Sequence, residues 1–97
     1  MEFVCSWQIQ SDDFEEVMRV FTASDPTKEF PDSVKLIGRW HCAASRSGVA
    51  IIESSDVADV MRWAMKWNGM MEFEIEPCVR DEVAGQLSLE KLAATDN

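Results

Sequence analysis

The hydrophobic pattern of this chain switches back and forth between a period of two and a period of about 3.6 residues, in an order few folds can use. From 1 to 10 it alternates, with Phe3, Cys5, Trp7 and Ile9 pointing one way and Val4, Ser6 and Gln8 the other. Aromatic and branched residues at period two read as a half-buried strand. Ser11-Asp12-Asp13 then supplies capping oxygens, and Asp12 and Glu15 have capping-box spacing. Phe14, Val17, Met18 and Phe21 recur at helical intervals, predicting a helix over 12–23 that stops ahead of Pro26. Residues 24–33 are the longest connection.

A second strand is predicted over 34–44. Regular alternation would put Val34, Leu36, Gly38, Trp40 and Cys42 on one face and Lys35, Ile37, Arg39 and His41 on the other. Ser45-Arg46-Ser47-Gly48 has the length and composition of a hairpin turn, and 49–53 is a short apolar third strand. Ser54-Ser55-Asp56 caps a second helix over 56–68, with Gly69 at its C-cap. Its apolar arc is read as Val57, Val60, Met61, Ala64, Met65 and Trp67, with Trp63 at the margin. In the fourth strand, 71–79, Met71, Phe73 and Ile75 alternate with Glu72, Glu74 and Glu76. A last, weaker helix over 81–94 is interrupted by Gly85 and Ser88.

The order β-α-β-β-α-β, with right-handed crossovers and a hairpin between the halves, gives an antiparallel sheet in the order 4-1-3-2 with both helices on one face. This is an α+β, ferredoxin-like plait, and 97 residues allow it as a single domain over 1–97. Its other sheet face is left open. Two copies packing these faces would form a closed barrel.

Charge and composition narrow the function classes. Nine Lys and Arg against eighteen Asp and Glu give a net charge of −9, which argues against binding duplex nucleic acid or an anionic membrane. No apolar run approaches the length of a membrane span, and the N-terminus has neither the basic start nor the apolar stretch of a signal peptide. Cys5, Cys42 and Cys78 form no Cys-x-x-Cys pair and sit in strand-like runs, which reads as buried, reduced thiols in a bacterial-type cytoplasm.

Gly38-Arg39-Trp40-His41 and Trp63-Ala64-Met65-Lys66-Trp67-Asn68 resemble the signatures of a small bacterial family catalogued as a domain of unknown function. The resemblance runs over nearly the whole chain. It implies membership among the dimeric α/β barrels, which include cofactor-free monooxygenases, haem-degrading enzymes and ligand-sensing domains. A homodimer is therefore expected. Trp, His and Asn are pocket residues in the haem-degrading relatives, although their spacing is not reproduced here.

The candidate ligand-binding residues are Arg39, His41, Trp63, Trp67 and Asn68. His41 is the only histidine, so any histidine-based acid, base or metal ligand must use it. No Cys/His cluster has metal-site spacing, and neither a nucleophile elbow nor a phosphate-cradling loop is present. Arg39 beside His41 makes a cationic spot, read as an anion clamp or as a partner for the glutamates of the fourth strand. Trp63 and Trp67 suggest an aromatic pocket or a subunit contact. The sequence thus points to a protein that binds a small organic molecule at the sheet face, without a cofactor. The alternatives are a non-enzymatic protein-interaction module and a monooxygenase-like or haem-binding enzyme.

Overall fold

The structure is a computed structural model and describes residues 1–96. Its elements are β1 (Glu2–Gln8), α1 (Phe14–Ala23), β2 (Val34–Cys42), β3 (Ser47–Ser54), α2 (Val57–Trp67), β4 (Glu72–Cys78) and α3 (Asp81–Asp96). The strands form one sheet in the order β2-β3-β1-β4, every neighbouring pair antiparallel. That order is consistent with the plait inferred from the alternating periods.

The core lies between the sheet and α2. Phe3 and Cys5 of β1, Ala50 and Ile52 of β3 and Val34 of β2 pack with Val60, Trp63 and Trp67. Trp63 is among the most buried side chains at 1% exposure, whereas Met61 and Met65 are 60% and 71% exposed. The apolar arc of α2 is therefore rotated from the one read in the sequence. Two indoles at i and i+4, with Val60 one turn earlier, bury more area than the methionines and choose the buried stripe.

Local signals hold unevenly. Asp56 caps α2 through its side chain, accepting from the backbone N–H groups of Ala58 and Asp59. A short 3-10 turn, Ser11–Asp13, precedes α1, whose start carries no side-chain cap bond, so the Asp12/Glu15 capping box does not form. Gly69 does not adopt a left-handed backbone; Asn68, in right-handed geometry, ends α2 by donating its N–H to the Ala64 carbonyl. The one positive φ outside glycine among the described residues, 54° at Arg46, closes the β2–β3 hairpin. Arg46 is held by Ile9, whose N–H donates to the Arg46 carbonyl at 2.8 Å.

Gly85 and Ser88 do not break α3, where the Ser88 hydroxyl donates back to the Ala84 carbonyl at 2.7 Å. The helix buries none of its residues. Arg80 ties its start to β1 through two hydrogen bonds to Glu2, at 2.7 and 2.8 Å. The chain extends to 55 × 30 × 19 Å, with a radius of gyration of 16.5 Å. A compact domain of this length has a radius of about 12–13 Å, so α3 reaches away from the body.

Candidate functional site

A bulge in β2 decides which side chains reach the helices. Leu36 pairs with Ile52 and Gly38 with Ile51, leaving Ile37 as an extra residue. One inserted residue reverses the facing of everything after it. Arg39 and His41 consequently face the helix side of the sheet, Arg39 half-buried and His41 exposed, and Trp40, 58% exposed, stands on the open face with its ring over Gly38. This corrects the regular alternation, which put Arg39 and His41 on the open face and Trp40 in the core. Cys42 turns outward for the same reason and is exposed rather than buried.

The reversed strand builds a row across the covered face of the sheet. His41, Gly48, Trp7 and Phe73 are paired neighbours from β2, β3, β1 and β4. The rings of Trp7 and Phe73 stack at 6.1 Å, and Trp7 meets His41 edge-on at 5.8 Å above Gly48. Phe21 of α1 comes down on His41 at 5.1 Å and on Trp67 at 6.4 Å. Trp63 meets the edge of Phe73 at 5.4 Å. Between these rings and α1 lies a pocket of about 90 Å³, completed by Ile9, Phe14, Val17, Met18 and Met71. Phe21 and Met18 are 37% and 44% exposed at its mouth.

One wall carries a buried ion pair. Arg39 donates to both oxygens of Glu29, at 2.6 and 3.1 Å, and its guanidinium lies 5.1 Å from the Phe21 ring centroid and 5.7 Å from that of Phe30. Trp63 Nε1 donates to Glu29 at 3.0 Å, and Lys66 Nζ donates to the Glu29 carbonyl at 2.6 Å. Burial pushes the Glu29 carboxyl up, but hydrogen bonds from Arg39 and Trp63 and the charges of Arg39 and Lys66 outweigh it and hold the group below its ordinary range. The partner of Arg39 is thus Glu29, not a glutamate of β4, which lies at the opposite edge of the sheet. Burial, with Cys78 adding to it, pushes the nearby Cys5 thiol up to about 12.

Of the candidate residues, Arg39, His41, Trp63 and Trp67 line this one pocket. Asn68 is exposed, does not line it and ends α2. The sequence reading missed Trp7, Phe21, Phe73 and Glu29 as site residues. The alternation of β1 and β4 already put Trp7 and Phe73 on the covered face, but nothing in the 24–33 connection singled out Glu29. No group of three or more His, Cys, Asp or Glu among the described residues is placed to hold a metal ion. No helix among them is long and apolar enough to cross a membrane.

Fold and site together define an α+β domain with a four-stranded antiparallel sheet, covered by helices on one face, and an aromatic pocket between helix and sheet. The chain belongs to the family described as Domain of unknown function (DUF3303), whose profile matches residues 1–92. No curated protein and no solved structure matches the chain.

Proposed function

We propose that this protein binds a small organic molecule in the pocket between α1 and the sheet. The observation that carries the reading is the convergence of Trp7, Phe21, Trp63, Trp67 and Phe73 with His41 around one opening. Small-molecule sites are concave and mostly apolar, with a few polar groups that set orientation. The pocket volume, about 90 Å³, suits a single-ring molecule and not a tetrapyrrole. Binding is favoured over chemistry. Arg39 is committed to Glu29, and His41 makes no hydrogen bond to a carboxylate among the described residues that would orient it as a base.

Thermal unfolding with phenol, a single-ring molecule, as the probe tests this, because a ligand of the folded state raises the midpoint by mass action. Phenol raises the midpoint of the native chain. It does not raise that of Met18→Trp, which fills the exposed mouth without touching the core. An unchanged midpoint in the native chain at millimolar phenol sinks the reading.

A second reading concerns the open sheet face, which supports assembly with a second copy of the chain. Ile37 and Trp40 are 41% and 58% exposed there, beside half-buried Val4, Val49 and Ile51. Glu72, Glu74 and Glu76 occupy only the β4 edge of that face. A two-fold arrangement joins the apolar parts and leaves the acidic columns at the rim. The outward-reaching α3, with Leu87 and Leu92 51% and 57% exposed, lies free to cross onto the partner. Light scattering then returns about twice the 11.0 kDa chain mass, and a monomer at micromolar concentration removes the reading.

A further inference from the structure

We propose that the ligand of the aromatic pocket is an uncharged single-ring aromatic molecule with a hydrogen-bond acceptor on its rim, taken by the indole N–H of Trp67. This rests on the pocket being a ligand site, and three properties of its walls support it.

The first is size. An apolar cavity of about 150 Å³ holds one benzene. The volume here is about 90 Å³, with an open mouth, so one ring enters with one edge left at the mouth and a second fused ring does not fit.

The second is charge. The guanidinium of Arg39 is matched by two hydrogen bonds to Glu29, so it offers no uncompensated cation to an anionic ligand. The chain carries a net charge of −9, which opposes anions further. A cationic ligand would in turn be placed beside Arg39. An uncharged molecule meets neither penalty.

The third is an unmet donor. Trp67 is 7% exposed, its ring lines the pocket, and its Nε1, closed off from the opening in the unliganded chain, is the only buried side-chain polar atom without a partner among the described residues. A ligand acceptor reaches it as the indole turns toward the mouth. Trp63, one turn earlier on the same helix, gives its N–H to Glu29. A buried donor left unpaired is costly, and a ligand that satisfies it recovers that cost. A carbonyl, ether or ring nitrogen is the matching chemistry.

The isotope-labelled full chain is titrated with acetophenone and with ethylbenzene, which share a ring and nearly a shape but differ in the carbonyl. Acetophenone binds about tenfold tighter, as expected for one buried hydrogen bond. At saturation it moves the Trp67 indole N–H resonance downfield, and ethylbenzene does not. Trp67→Phe keeps an aromatic ring, removes the donor, and brings the two affinities together. Benzoate and acetonaphthone bind more weakly than acetophenone. Equal affinities in the native chain, or a Trp67 resonance that stays in place at saturation, overturn the acceptor assignment while leaving the pocket a ligand site. Failure of both probes to bind at millimolar concentration overturns the pocket reading and this proposal together. If Trp67→Phe does not fold, the indole shift in the native chain decides.

Discussion

Trp7 and His41 sit on strands that are not neighbours, yet their rings meet edge-on at 5.8 Å. β3 runs between them and offers Gly48 at that row, so the two side chains close over bare backbone. A side chain at this position would separate them and fill the floor of the pocket.

Gly48→Ala is therefore expected to cost about 1–3 kcal/mol, as for an overpacked core. The added Cβ lies 2.5 Å from Trp7 Cε2 and 2.7 Å from the Trp40 carbonyl oxygen, and backbone cannot yield. Gly38→Ala is the control. Its Cβ meets Trp40 Cη2 at 2.5 Å, but that ring is exposed and free to swing away. Urea unfolding of the two variants should separate them by more than 1 kcal/mol.

Removing Glu29 leaves Arg39 without its partner in a site where their side chains are only 16% and 4% exposed. Glu29→Ala should destabilise the fold by about 3–5 kcal/mol, because a buried charge is left uncompensated. The Trp63 N–H also loses its acceptor. Glu29→Ala combined with Arg39→Met should recover part of the loss in urea unfolding. Additive losses would show that the pair does not act as a unit.

Acid should act through the same carboxyl. The pKa of Glu29 is lowered in the fold from an ordinary 4.5, so the folded state binds its proton less readily than the unfolded chain. The resulting stability is complete above about pH 4.5 and is lost as pH falls through the folded value. Midpoints measured from pH 7 to about pH 3 should fall more steeply in the native chain than in Glu29→Gln. Parallel curves would assign the acid sensitivity elsewhere.

Trp40 lies on the open face, 58% exposed. Trp40→Ala should leave the unfolding of an isolated chain within about 1 kcal/mol of the native one, since little is buried there. A buried tryptophan would cost about 3–5 kcal/mol, the outcome that regular alternation predicts. If two copies join through this face, the same variant shifts sedimentation toward the monomer. A large loss of stability with no change in assembly would return Trp40 to the core.

The order of elements, the sheet order and the facing of β1 and β4 could be read directly from the sequence. Period-two alternation and the Asp56 cap are local signals, carried by residues next to one another. The facing of β2 after Ile37 could not be read that way. Regular alternation covers Trp40 and Cys42 and leaves Arg39 and His41 outside, which is the better local match, whereas the parity adopted exposes Trp40 and Cys42 and brings Arg39 and His41 to the helix side. What decides is distant in sequence: Glu29 receives Arg39, while Trp7 and Phe21 receive His41. The stripe that α2 buries was decided likewise, by Phe30, Phe73 and Glu29 around Trp63. The sequence supplied strands and helices through local periodicity; the pocket exists because a bulge, which has no local period, let a buried charge find its partner.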